Sequence, residues 1–124
     1  MGSSLTLELP EPPSANRWWR NVNGRMVTSR EARTYKQMVA NRLFVLRAKP
    51  IAAPTPCRIV LTWYRGRKAG DLDKRLGVLL DALQGAAYDN DGQVTQIHAT
   101  REDDPRNPRI VVTITPLTPT EAAA

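Results

Sequence analysis

The chain has 124 residues, of which 41% are hydrophobic and 24% are charged, with 18 lysines and arginines against 12 acidic residues. This composition excludes an intrinsically disordered chain, and no apolar run approaches the roughly 20 residues of a membrane span. The N-terminus lacks the basic start and apolar stretch of a secretion signal, and a single cysteine, Cys57, excludes an internal disulfide. We therefore expect one domain that works in the cytoplasm and has no membrane partner.

The positive charge is unevenly distributed along the chain. Residues 1–50 contain nine basic and three acidic residues, whereas residues 51–124 contain nine of each, so the net charge of +6 comes from the first fifty residues. A basic surface favours polyanions through phosphate contacts and the release of counterions. The charge balance therefore indicates nucleic acid as a partner, although a basic protein with a merely solvated surface would show the same balance.

The first half of the chain predicts a strand, a hairpin and a helix. Residues 4–9 alternate between polar and apolar side chains, which is typical of a strand. After a proline-rich loop, Asn23-Gly24 predicts the tight turn of a small hairpin. Thr28 or Ser29 then caps an amphipathic, basic helix that ends before the next proline.

The second half predicts a second helix between strands. The β-branched and aromatic residues of 57–65 indicate a strand, and a polar loop then leads to a helix that starts near Asp73 and ends at Gly85. Two further alternating segments follow. The resulting order of β, hairpin, α, β, α, β, β predicts the α/β fold class, as one small domain over residues 1–116 with a mixed sheet packed against two helices, and a loose tail over 117–124. The helix is expected to bury four leucines at helical spacing: Leu76, Leu79, Leu80 and Leu83.

Two closely spaced aspartates stand out before this helix. Asp71 and Asp73 lie one residue apart beside four basic residues. If the segment is extended, the two side chains project to the same side, and two carboxylates on one side need a cation or a proton between them. Oxygen ligands without a Cys/His cluster suit Mg²⁺ or Mn²⁺, which also takes phosphate oxygens. The pattern is compatible with a metal site that acts on a phosphate.

Simpler roles for the acidic residues remain open at this point. Asp73 could cap the helix, and Asp81 is expected on the solvent side or in a salt bridge. A third carboxylate is available past the helix at Asp89 or Asp91, but the helix carries the chain about 18 Å along its axis. The sequence does not prove that the two ends meet. The lone histidine, His98, is expected to be structural.

The motif over residues 70–94, "GDLDKRLGVLLDALQGAAYDNDGQV", together with "PPSANRWWR" near the start, resembles the RusA family of Holliday-junction resolvases. The resemblance implies a small homodimeric endonuclease that uses Mg²⁺ or Mn²⁺ to cut four-way junction DNA symmetrically, often encoded in phage or prophage DNA. By the family motif D-x-D, then D-x-Q-V, it assigns Asp71, Asp73 and Asp91 as the metal ligands and catalytic carboxylates. Such an ion would activate a water and stabilise charge on the phosphate.

The chain departs from the family pattern at one position. The family commonly has a lysine four residues after the second aspartate, and this chain has Gly77 there. Because residues three apart are neighbours on a helix, we hypothesise that Lys74, or Arg75, supplies the missing positive charge. The alternative is a junction-binding protein with weak or no cleavage. A third possibility is a basic structural protein that binds RNA or DNA and uses its acids only as caps and ion pairs.

Basic and aromatic residues near both motifs are predicted to contact DNA. They would grip phosphates, and the tryptophans would stack on unpaired bases near the centre of a junction, unless a tryptophan anchors the core or a dimer interface instead. The predicted DNA-binding residues are Asn16, Arg17, Trp18, Trp19, Arg20, Arg65, Arg67, Lys68 and Arg75.

Overall fold

The computed structural model describes residues 4–68 and 70–123. Residues 1–3, Ala124 and Ala69 of the predicted basic loop lie outside the described residues. The elements, in chain order, are β1 (Leu5–Pro10), α1 (Ala15–Trp18), β2 (Trp19–Val22), β3 (Arg25–Thr28), α2 (Arg30–Val45), β4 (Cys57–Arg65), α3 (Leu72–Leu83), a 3₁₀ turn (Asp91–Gln93), β5 (Val94–Asp103), β6 (Arg109–Pro116) and α4 (Pro119–Ala122). The predicted order of strands and longer helices is confirmed, and α1, α4 and the 3₁₀ turn were not predicted.

Local signals account for the boundaries of the N-terminal elements. Asn23 and Gly24 both have positive φ, at 52° and 79°, as the tight turn between β2 and β3 requires. The Ser29 side chain accepts a hydrogen bond from the Ala32 amide and so caps α2, with Glu31 in the first turn. The hairpin and the capping residue are thus placed as predicted.

The main sheet is mixed, as predicted, with strand order β1-β6-β4-β5. The pairs β1–β6 and β6–β4 are antiparallel, whereas β4 and β5 are parallel. Parallel neighbours need a crossover connection, and α3 supplies it. The chain therefore leaves β4 at one end of the sheet and enters β5 at the opposite end.

The core lies on one face of this sheet. Leu7, Val112 and Leu61 are neighbours across three strands and all are buried, which shows that alternate residues of each strand point to the same covered face. The helices α2 and α3 contribute their apolar sides to the same cluster. The buried residues of α3 are Val78, Leu79, Ala82 and Leu83, whereas Leu76 and Leu80 are half-buried, so the buried stripe is rotated from the predicted one.

The predicted loose tail contains a short helix. Leu117 is buried, and Thr118 and Glu121 form a reciprocal capping box around α4. No helix among the described residues is both long enough and apolar enough to cross a membrane.

Candidate functional site

The first half of the candidate site is the start of α3. Asp71 is extended and occupies the N-cap position, while Leu72 is already helical, so the segment is not the extended strand that would place Asp71 and Asp73 on one side. Asp73 lies in the first turn and is therefore not the capping residue. The Asp71 side chain makes no capping hydrogen bond. Both carboxylates are exposed and project from the beginning of the helix.

A buried tryptophan forms the floor beneath this helix start. The Trp63 indole is fully buried and donates a hydrogen bond of 2.7 Å to the Glu11 carboxylate. The Arg75 guanidinium lies 4.6 Å from the centre of the Trp63 ring and donates to the carbonyl of Pro12. Gly70 has a φ of +101°, and a Cβ there would lie 3.2 Å from the Trp63 ring. The glycine thus allows the chain to cross the ring closely just before Asp71.

The N-terminal loop lies beside the same helix start. A small cleft of about 150 Å³ is lined by residues of both segments, including Asn16, Asp71 and Lys74. The Lys74 ammonium is 3.9 Å from the Asp71 carboxylate, and both side chains are about two-thirds exposed. Such an exposed pair contributes little to stability. Lys74 is therefore free to contact a bound phosphate at little cost to the fold.

The second half of the candidate site is the turn before β5. The Asn90 side chain accepts from the Gly92 amide, and the Gln93 side chain accepts from the Asn90 amide, which together form a capping box. The buried Gln93 amide group also donates to the carbonyls of Ile51 and Thr55 at 3.0 and 2.9 Å. Asp91 is exposed at the tip of this turn.

The five aspartates between residues 67 and 94 separate into two groups. The Asp81 carboxylate accepts from the Trp18 indole and pairs with Lys36 at 3.1 Å, which confirms the predicted salt bridge. The Asp89 carboxylate accepts from the amide of Ala53. Among the described residues, the other three carboxylates have no hydrogen bond, and their one ion pair joins Asp71 to Lys74. Asp71, Asp73 and Asp91 are therefore exposed with carboxylates that accept no hydrogen bond among the described residues, whereas Asp89 is exposed but hydrogen-bonded.

Three of the predicted DNA-binding residues are engaged in the fold. Trp18 is fully buried between Asp81 and the edge of Tyr35, so it cannot stack on a base in this conformation. Arg65 is mostly buried and bonds to Asp103 at 2.6 Å, a hydrogen bond that lowers the pKa of the Asp103 carboxyl. Arg75 is tied to Trp63, and its burial lowers the pKa of its guanidinium. These positions follow from contacts distant in sequence, which local patterns do not reveal.

The remaining predicted DNA-binding residues are at the surface. Arg17 is exposed but paired with Glu31, and Trp19 is half-buried on β2. Arg17, Arg67 and the clamped Arg75 line one larger cleft of about 1000 Å³ that adjoins the helix start. The same cleft is also lined by Glu11 and Glu31, so its three arginines are partly neutralised. The other exposed members of the predicted set are Asn16, Arg20 and Lys68.

Sequence reasoning missed two residues that position this site. Glu11 orients the loop after β4, because its carboxylate accepts from both the Trp63 indole and the Gly66 amide. Gln93 holds the turn that presents Asp91. The glutamine of the D-x-Q-V motif was a visible signal, but Glu11 in a proline-rich loop gave none.

The three exposed carboxylates do not converge within one chain. Mg²⁺ binds its oxygen ligands at roughly 2.0–2.1 Å, so carboxylates that share an ion lie within a few ångströms of each other. Asp71 and Asp73 lie at the start of α3, whereas the Asp91 amide bonds to Gln84, just past the end of that helix. Among the described residues, no three acidic, histidine or cysteine side chains are grouped closely enough to hold a metal ion. The predicted three-aspartate set therefore does not fit one ion in a single chain.

Comparison with known proteins decides the family. The family model described as Endodeoxyribonuclease RusA matches residues 10–115. The chain belongs to the RusA family. The crossover junction endodeoxyribonucleases RusA of Escherichia coli strains K12 and CFT073 are each 30% identical to it over 115 residues, covering 91% of this chain and 95% of the relative. That of Shigella sonnei strain Ss046 is 29% identical over the same length. The resemblance predicted from the motifs is confirmed.

Gly77 is the position at which this RusA family member departs from the expected motif. It lies on the exposed side of α3, and a Cβ built there meets no atom within 4 Å. A longer side chain would therefore be accommodated in the single chain. Lys74 is one helical turn away and exposed, so it can reach the space that the family lysine would occupy.

Proposed function

We propose that this chain is a structure-selective endodeoxyribonuclease that resolves four-way Holliday junctions by paired, symmetric incisions. Its family and the RusA names of its relatives support this function. The observation that carries the proposal is that Asp71, Asp73 and Asp91, the three carboxylates of the family motif, are exposed and, among the described residues, accept no hydrogen bond. Acids that served only as caps or ion pairs would resemble Asp81 and Asp89, whose carboxylates accept hydrogen bonds from other residues of the chain.

We further propose that cleavage depends on Mg²⁺ or Mn²⁺. The donor set consists of carboxylate oxygens, which are the ligands these ions prefer in proteins. Positive side chains around the helix start would hold the phosphate backbone near the carboxylates, chiefly Arg67, Lys68 and Lys74, with Arg17 and Arg20 on the N-terminal side. Action in the cytoplasm, in bacterial recombination or in phage DNA processing, belongs to the same proposal.

A homodimer is the proposed functional unit. A four-way junction has two-fold symmetry, and a two-fold dimer presents equivalent sites to opposing strands. Two coupled incisions then leave two nicked duplexes with ligatable ends.

The test is cleavage of a labelled synthetic four-way junction with Mg²⁺ or Mn²⁺, compared with a chelator. Asp73→Asn should abolish metal-dependent paired incisions while keeping junction binding. Glu102→Gln is the matched control, because Glu102 is exposed on β5 and the substitution removes the same charge from a residue outside the D-x-D and D-x-Q-V motif. Equal binding of junction and linear duplex by the native chain, without incision, would contradict the proposal.

The second candidate function is junction binding with weak or no cleavage, which Gly77 specifically favours. The glycine provides no charge where the family lysine is expected, and Lys74 is the proposed replacement. Lys74→Ala should then lower the incision rate and leave junction affinity nearly unchanged. Full cleavage by Lys74→Ala would reject that role. A large gain of cleavage in Gly77→Lys, from a native chain that only binds, would favour the second function.

A further inference from the structure

A short β-hairpin projects from the fold directly after the N-terminal loop and α1. Its strands β2 and β3 form a sheet of their own, which is separate from the four-stranded sheet. Every residue from Arg20 to Val27 is exposed, and the apolar side chain of Met26 is 64% exposed. The rest of the chain therefore leaves this hairpin largely uncovered beyond its base.

The base of the hairpin is fixed to the body of the protein. The Ser29 amide donates to the carbonyl of Trp18 at 2.8 Å, and the Ser29 hydroxyl donates to the carbonyl of Arg17 at 2.6 Å. The buried Trp18 indole donates in turn to the carboxylate of Asp81 on α3. The exposed strands are thus held in a defined position on a rigid support, as a surface that contacts another molecule requires.

The hairpin and its immediate flanks carry only positive charge. Residues 18–30 contain Arg20, Arg25 and Arg30 but no aspartate or glutamate. All three arginines are exposed, and among the described residues their guanidinium groups form no ion pair and no hydrogen bond, whereas Arg17 is paired with Glu31. Three cations without internal partners indicate that this surface binds a negatively charged molecule.

The strand register places two of these arginines on one face of the hairpin. Arg20 lies opposite Val27, and Arg25 lies opposite Val22. Because side chains alternate along a strand and opposite residues share a face, these four side chains project to the same side. The other face begins with Trp19, which packs against the core. The face with the arginines is therefore turned away from the body of the protein.

We infer that this hairpin is a second DNA-binding surface, which contacts a duplex arm of the junction at a distance from the cleavage site. The inference rests on the proposed function, and it extends the expected DNA contacts from Arg20 to Arg25 and Arg30. A two-stranded ribbon fits the major groove, which is about 12 Å wide. Arginines on the outer face then bind phosphates at the edges of the groove, independently of base sequence.

The position of the hairpin base determines which part of the DNA is contacted. Trp18 bonds to Asp81, which follows Asp73 by eight residues on α3, so these two aspartates are about 12 Å apart along the helix axis. Duplex DNA rises by about 3.4 Å per base pair. An arm that runs along α3 is therefore contacted about four base pairs or more from the phosphate at Asp73.

The same charge argues against self-association through this surface. In a two-fold contact between two hairpins, Arg20, Arg25 and Arg30 would face the same three cations of the second copy. Like charges opposed across an interface are strongly unfavourable. DNA, which offers phosphates on both sides of a groove, is the complementary partner.

The test compares two double variants of the whole chain. Arg25→Gln with Arg30→Gln removes two charges from the hairpin surface. Arg47→Gln with Lys49→Gln is the matched control, because both residues are exposed past the other end of α2, about 24 Å away. Affinity for a four-way junction is measured over a range of salt concentrations. The slope of log affinity against log salt should fall by about two per chain in the first variant only.

Cleavage and phosphate mapping separate this role from a role in the chemistry. With saturating junction, the Arg25→Gln, Arg30→Gln variant should incise at the native rate, because its arginines lie away from the carboxylates. Ethylation of arm phosphates about four base pairs or more from the cut should weaken binding by the native chain but not by this variant. A lower incision rate at saturation, an unchanged salt slope or a slope change equal to that of the control would each overturn the inference.

Two further measurements identify the partner of the hairpin. If the Arg25→Gln, Arg30→Gln variant changes the oligomeric state, the hairpin joins two copies of the chain and the inference is wrong. The salt slope is also measured with linear duplex, where the same difference of about two per chain is expected. A native chain that shows this difference but cuts no junction would count against the proposed function and leave the hairpin surface supported.

Discussion

The two ends of α3 present exposed aspartates by different physical means. At the helix start, Asp71 and Asp73 are positioned by packing: Gly70 crosses the Trp63 ring, and Arg75 stacks on that ring. At the other end, Asp91 is positioned by the hydrogen bonds of a tight turn whose last residue, Gln93, is 6% exposed.

This difference indicates how each half responds to change. Packing against an aromatic floor is broad and tolerates the loss of one contact, whereas a buried amide with three partners leaves several backbone groups unsatisfied when it is removed. The carboxylates themselves contribute little to either arrangement, because they are exposed. At both ends of α3, substitution of a carboxylate should therefore change cleavage, whereas substitution of a residue that positions it should change stability.

The largest expected effect comes from the carboxylates. Asp73→Asn and Asp91→Asn should each lower junction cleavage by about 100-fold or more, since altering even residues behind a metal ligand typically costs 10–100-fold. Thermal unfolding should be nearly unchanged in both. Cleavage kinetics with Mg²⁺ and a melting curve measure the two quantities. A loss of cleavage in only one of the two variants would show that the two ends of α3 do not contribute equally to the site.

The turn should be more sensitive in stability than the helix start. Gln93→Leu should lower the free energy of unfolding by about 3 kcal/mol, because it removes three hydrogen bonds and leaves buried backbone groups unpaired. Urea denaturation measures this change. Gln37→Ala on the exposed side of α2 is the control and should change it by less than about 0.5 kcal/mol. An equally small effect of Gln93→Leu would show that the turn is not held by its amide.

At the helix start, substitutions of two arginines should affect different properties, one the stability of the fold and the other the binding of DNA. Arg75→Met should lower the free energy of unfolding by about 1–2 kcal/mol through loss of the ring contact and the bond to Pro12. Arg67→Met should leave stability nearly unchanged and weaken junction binding, with a salt dependence reduced by about one phosphate contact. Denaturation and salt-dependent binding measure these changes. Weakened junction binding with unchanged stability in Arg75→Met would instead indicate that Arg75 contacts DNA.

The smallest effect concerns the middle of α3. Gly77→Ala should raise the free energy of unfolding by about 0.5–1 kcal/mol, since the site is helical, exposed and open to a Cβ. Gly70→Ala should lower it, because φ there is +101° and Trp63 leaves little space. Parallel denaturation curves of the two variants test the pair. Destabilisation by Gly77→Ala would mean that the glycine is needed at a contact with another chain.

Local patterns were sufficient for much of this fold. The strand over 57–65 coincides with β4, because β-branched and aromatic residues mark it along its full length. Asn23-Gly24 and Ser29 act through their own backbone neighbours, so their roles are readable from a few residues. The buried side of α3 was less well predicted, since the contacts of the whole helix determine which of several apolar residues point inward.

By itself, the sequence determined the order of elements, the family, and three aspartates suited to bind a cation near phosphate. The tertiary structure decided which charged and aromatic residues are used internally: Trp18, Arg65 and Arg75 are engaged by partners far away in sequence. It also decided that Asp91 stands a helix length from Asp71. Spacing along a chain fixes distances only within one element, whereas the direction of a crossover between parallel strands is fixed by how the strands pair.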